Sequence, residues 1–128
     1  MGVSTWSYRG KHFDAPDPVL EVWLRLLVDA LDEVTAPPSW LPELRQEWYE
    51  LATEQFGFGV APDFDATLID DARRELVLHA AQRALRRLEA LGDPIPVSQL
   101  NALARGFARD LPAELFREPA RKFIALLS

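Results

Sequence analysis

The chain has 128 residues, 48% of them apolar, a net charge of −6 and no cysteine. That is the size of one ordinary domain with enough hydrophobic content to build a core. The lack of cysteine excludes disulfides, thiolate metal sites and thiol nucleophiles. The acidic balance argues against general nucleic-acid binding, which needs a basic surface to neutralise phosphates.

The charge is unevenly placed. Residues 17–71 carry thirteen acids against only Arg25 and Arg45, whereas residues 72–128 carry ten bases against six acids. Such asymmetry marks either an interaction surface or two complementary faces that meet inside one fold. No apolar run follows a basic start, so no signal peptide is expected. The longest apolar-rich stretch, Val19–Leu31, is broken by Glu21, Arg25 and Asp29 and is too short to span a bilayer. With the missing cysteines, this leads to the expectation of a cytoplasmic protein without a membrane partner.

Residues 1–16 read as an irregular arm or short strand, strand-like around Val3–Tyr8, with Trp6, Tyr8 and Phe13 and a basic cluster of Arg9, Lys11 and His12. Asp17-Pro18 predicts a helix start, with Asp17 as N-cap, and a helix running to about Val34. Its polar positions form one narrow stripe (21, 25, 29, 32/33), so it is expected to be surrounded by other helices. Ala36-Pro37-Pro38 ends it. Ser39 opens a second helix that reaches Gln55 or Phe56 before Gly57, with Leu44, Trp48, Leu51 and Gln55 or Phe56 on its core side. Residues 57–69 read as a loop. Asp70, or Thr67 before it, opens the longest helix, which ends at Leu91 before Gly92. Val77, Leu78, Ala81, Ala84, Leu85, Leu88 and Leu91 recur on it at helical spacing. Ser98 is expected to cap a fourth helix carrying Leu100, Leu103, Ala104, Phe107 and Leu111, and Pro112 and Pro119 each to start a short helical piece. The expected fold is all-α: a single domain over 1–128, with an arm (1–16) on a bundle of four to five helices (17–128).

On the second helix Glu43, Glu47, Glu50 and Glu54 fall within about 40° of one line and form a continuous acidic ridge. Like charges at this spacing destabilise a helix by about 0.2–0.5 kcal/mol per pair. A ridge held against that cost implies a positive surface nearby. Within the chain the candidates are Arg73, Arg74, Arg83, Arg86 and Arg87; outside it, a basic partner. Neither histidine supplies the Glu-x-x-His pattern of carboxylate metal sites in helical bundles.

Asp63-Phe64-Asp65-Ala66-Thr67 resembles the first motif of haloacid dehalogenase-like phosphatases, Asp-x-Asp-x-Thr after an apolar strand. The resemblance implies a nucleophile at Asp63 and an acid/base at Asp65. Pro62 stands where the strand would feed the motif, and the surrounding helical sequence leaves no room for a parallel sheet. As a calcium loop the segment would need Gly and Glu where Leu68 and Arg74 stand. Turn formation and helix capping are the expected uses of Asp63, Asp65, Asp70 and Asp71. Phe58, in Phe56-Gly57-Phe58-Gly59, either packs inward or stands out as an interface anchor. Trp23 and Trp48 fall on core stripes; Trp6 and Trp40 are read as pinning irregular segments to the bundle.

With no credible catalytic or cofactor site, the expected function is non-enzymatic. The chain reads as a protein–protein interaction module that presents acidic surface to a basic partner. Its most concrete form is a small bacterial immunity-type protein that covers a toxin's basic cleft. The partner-binding candidates are Glu43, Glu47, Glu50, Glu54, Phe58, Asp63 and Asp65. The alternative is a small helical enzyme or ligand-binding protein with a pocket at the 56–71 loop and a metal at Asp63/Asp65.

Overall fold

In the computed structural model, which describes residues 2–54 and 59–128, the N-terminal arm is a β-hairpin. Strands β1 (Val3–Tyr8) and β2 (Lys11–Pro16) pair antiparallel, from Val3 opposite Pro16 to Tyr8 opposite Lys11. Arg9 and Gly10 alone join them, with φ of +49° and +82°. Positive φ at both positions is the mark of a type I′ turn, whose twist matches that of the strands it connects. Ser4, Trp6 and Tyr8 of β1 and Phe13 and Ala15 of β2 turn inward, and the residues between them are exposed. The all-α expectation is therefore wrong. The fold is α+β, mostly helical, and the arm is a half-buried sheet rather than an irregular segment.

An isolated two-stranded hairpin is marginal in water; this one is held by what it packs on. Trp6 is fully buried, its ring centroid 5.1 Å from Phe64, 5.3 Å from Phe123 and 6.0 Å from Phe13. Its indole N–H donates to the Val60 carbonyl, and the Tyr8 hydroxyl donates to the Leu68 carbonyl at 2.9 Å. The Ser4 hydroxyl donates to the Asp17 carboxylate and accepts from the Val60 amide at 3.0 Å. These bonds tie the hairpin to the first helix and to the segment around Val60.

Six helices follow among the described residues: α1 (Asp17–Leu31), α2 (Leu41–Glu54), α3 (Phe64–Thr67), α4 (Asp71–Ala90), α5 (Val97–Leu103) and α6 (Glu114–Leu127). As its composition predicts, α1 is the central element, packed against both strands and against α2, α4, α5 and α6. All its residues are buried except Pro18, Arg25 and Asp29, so Glu21, expected on the polar stripe, lies inside. Pro16 occupies the N-cap position and Asp17 the first turn, where a carboxylate meets the positive helix end. No helix among the described residues is long and apolar enough to cross a membrane.

The other helices depart from expectation for local reasons. One turn, α3, forms inside the predicted 57–69 loop. It is capped by Asp63, which accepts from the Ala66 amide at 3.1 Å, and buries Phe64. Residues 97–103 form a shorter helix than expected because Ile95 and Leu111 pair as a β-bridge, with N···O distances of 2.7 and 3.2 Å, and fold the chain back. Asp110, not Ser98, serves that helix start by accepting from the Val97 amide at 2.8 Å. Pro119 opens no new piece and lies within α6. Proline lacks the amide that would bond the carbonyl of Leu115, a half-exposed residue.

Asp70 caps α4, its carboxylate accepting from the Arg73 amide at 2.9 Å, and Gly92 (φ +100°) follows the C-terminal end. Asp70→Ala is expected to lower the urea-unfolding free energy by about 1 kcal/mol, and Asp70→Asn, an equally good cap, by much less. Equal losses from both variants would show that capping is not what Asp70 contributes.

Candidate partner-binding face

Helix α2 has two sides. Leu41, Leu44, Trp48 and Ala52 are buried, Trp48 with its ring centroid 5.6 Å from Phe64. Glu43, Glu47, Glu50 and Glu54 lie roughly 135° round the helix from that stripe, and all four are exposed. Among the described residues none of the four lies within ion-pair distance of a base. Glu50 accepts a hydrogen bond from Gln46 Nε2 at 3.1 Å, a neutral donor one turn earlier.

The arginines that could have neutralised the ridge are mostly engaged elsewhere. Arg83 donates to the Ala30 carbonyl at 3.2 Å, and Arg87 pairs with Glu33. From α2 itself, Arg45 grips Asp32 with two parallel bonds of 2.8 and 3.0 Å. These cations gather at the C-terminal end of α1, where orphan carbonyls and the helix dipole concentrate negative potential. The hydrogen bond to Asp32 raises the Arg45 pKa above its ordinary value, with burial opposing. A raised pKa contributes stability that is lost only as pH rises past it. For arginine that window lies far above neutrality, so this clamp stays charged under working conditions.

Arg73 and Arg74 serve the start of α4. Arg73 lies 3.7 Å from Asp70, and its guanidinium sits over the Trp40 ring at 5.1 Å. Arg74 lies 3.4 Å from Asp71 and donates to the Leu127 carbonyl at 2.7 Å. Arg86 is exposed. α1 packs with both α2 and α4, and the α4 arginines that bond to it meet its C-terminal turn and the Glu33 that follows.

At its N-terminal end the ridge borders a cleft of about 250 Å³, walled by Trp40, Glu43 and Glu47 on one side and by Thr67 and Arg73 on the other. The candidate residues are thus partly brought together. Glu43 and Glu47 face the end of α3, the helix that carries Asp65 and is capped by Asp63. Both aspartates are exposed and bonded within the chain, Asp63 to the Ala66 amide and Asp65 to the Arg9 amide at 3.0 Å. Among the described residues no three His, Asp or Glu side chains are grouped to hold a metal ion. Phe58 lies outside the described residues. The contact of Trp40 with Arg73 could not be found by spacing, because only the tertiary fold brings the turn before α2 to the start of α4.

No protein-family model, curated protein or solved structure matches this chain. Any functional reading therefore rests on the chemistry of this surface.

Proposed function

We propose that the protein is a non-enzymatic interaction module that offers the α2 glutamate face to a basic protein partner. Its most concrete form is an immunity-type protein that neutralises a toxin by covering a cationic cleft. One observation carries this reading: four aligned glutamates are exposed without an ion pair among the described residues, while Arg45, Arg83 and Arg87 bind the C-terminal end of α1 instead. An uncompensated line of like charge costs folding energy. A basic partner would relieve that repulsion, and the field of the ridge would steer its approach.

The test is capture from native lysate at low salt, with wild type and with a variant carrying Glu43→Lys, Glu47→Lys, Glu50→Lys and Glu54→Lys. The expected result is a basic protein retained by wild type, eluted by salt, and associating about 10- to 1,000-fold more slowly with the variant. Unchanged capture by the variant would place the interface elsewhere and remove the basis for this function.

A further inference from the structure

Two open clefts meet at the hairpin, on surface that the ridge does not use. One, of about 480 Å³, runs between β2 and α6 and is lined by Lys11, His12, Phe13, Asp14, Lys122, Ala125 and Leu126. The other, of about 370 Å³, lies at the hairpin turn and is lined by Tyr8, Arg9, Lys11, Arg74, Leu126 and Ser128. Lys11 and Leu126 border both, so a cleft with exposed Ala125 and the edges of buried Phe13 and Leu126, the apolar arm, adjoins a cationic arm at Lys11. Of the acids around it, Asp71, Glu75 and Glu118 lie within ion-pair distance of a base, whereas Asp14 has only a neutral donor. Asp14 accepts from the Thr5 hydroxyl, and Asp71 lies 3.7 Å from Arg9 and 3.4 Å from Arg74. Glu75 lies 3.7 Å from Arg74, and Glu118 lies 3.0 Å from Lys122, one turn away on the exposed side of α6. Lys11, at the junction, is exposed and has no acid within ion-pair distance among the described residues.

We propose that this groove binds a small amphiphilic anion, an apolar chain or ring that ends in one carboxylate or phosphate. Its head sits at Lys11 and its body lies along Phe13, Ala125 and Leu126. The groove's polarity sets this choice. A free inorganic anion would leave the apolar arm wet, and a neutral apolar molecule would leave Lys11 without a counter-charge. Lys122 is held by Glu118 at 3.0 Å, so the head is assigned to Lys11 alone. The inference is independent of the acidic face on α2.

The test follows backbone amide shifts of the ¹⁵N-labelled full chain during titration with octyl phosphate, octanoate, octyl glucoside and inorganic phosphate, each below its micelle-forming concentration. At least one anionic amphiphile is expected to shift residues 11–13 and 122–126 saturably, and the tighter of the two identifies the head group. The glucoside and inorganic phosphate are expected not to saturate over the same range. Lys11→Glu is expected to weaken binding about ten-fold, as the loss of one charge-assisted contact would. Ala125→Trp, at an exposed position, fills the apolar arm and is expected to abolish binding. If Lys11→Glu alters the circular dichroism spectrum, Lys11→Ala replaces it. The proposal is overturned if neither anion saturates, if the glucoside binds as well as the anions, or if the shifts map to other residues. It is equally overturned if both variants bind as wild type does, or if the unliganded chain self-associates through this groove and Lys11→Glu dissociates it.

Discussion

Replacing Trp6 with alanine is expected to bring the protein to the edge of unfolding. The side chain is fully buried and meets Phe13, Phe64 and Phe123, which belong to β2, α3 and α6. Truncating a buried aromatic costs about 3–5 kcal/mol, against a total stability of about 5–15 kcal/mol for an ordinary domain. The loss is expected to be global, because Phe64 also packs on Trp48 of α2, and Phe123 also packs on Trp23 of α1. One indole thus links the hairpin to a chain of aromatic rings through the core. Trp6→Phe keeps a ring but strands the Val60 carbonyl, which now accepts the indole N–H, and is expected to cost an intermediate amount. Chemical denaturation followed by far-ultraviolet circular dichroism measures both. If Trp6→Ala lowers stability by less than about 1 kcal/mol, well below the usual cost of such a truncation, the hairpin is only draped on the helices.

The hairpin is also where the sequence was hardest to read. Each strand has six residues, and their connection is Arg-Gly rather than the Asn-Gly or Asp-Gly that announces a type I′ turn. Arg9 accepts a positive φ there because the turn is supported from outside. Its amide donates to Asp65 and its guanidinium stacks on Tyr8, 5.0 Å from the ring centroid. The helices were legible for the opposite reason. In α4 the apolar spacing, the Asp70 cap and Gly92 all point the same way, and the helix runs from Asp71 to Ala90. The single turn of α3 carries a cap, Asp63, but no apolar period; the burial of Phe64 against Trp6 and Trp48 holds it. The candidate face was half legible. Helical spacing places four glutamates on one line of α2, but it cannot tell which helix the arginines of α4 will face. That depends on α1, whose C-terminal end draws Arg45, Arg83 and Arg87.

That arrangement makes a prediction whose sign separates a free ridge from a paired one. Glu47→Lys with Glu54→Lys turns three like-charge neighbours (43/47, 47/50 and 50/54) into three opposite-charge neighbours. Both i,i+4 pairs then have Glu on the N-terminal side, the better orientation. Each like pair costs, and each opposite pair returns, about 0.2–0.5 kcal/mol, so the double variant is expected to gain about 1–3 kcal/mol at low ionic strength. The gain is expected to shrink in about 1 M salt, where the screening length falls to about 3 Å. Were the glutamates compensated by bases of their own chain, the same changes would break those pairs and lower stability. A chain that becomes more stable when its acidic face is interrupted, and at the same time associates more slowly with a basic partner, is holding those charges against its own folding preference. Surface kept at that cost is where a stability–function trade-off is expected. Urea denaturation at two salt concentrations, beside association kinetics of the same variant, reads both sides of it. A loss of stability would mean that the ridge is paired within the chain and would leave the proposed function without its main support.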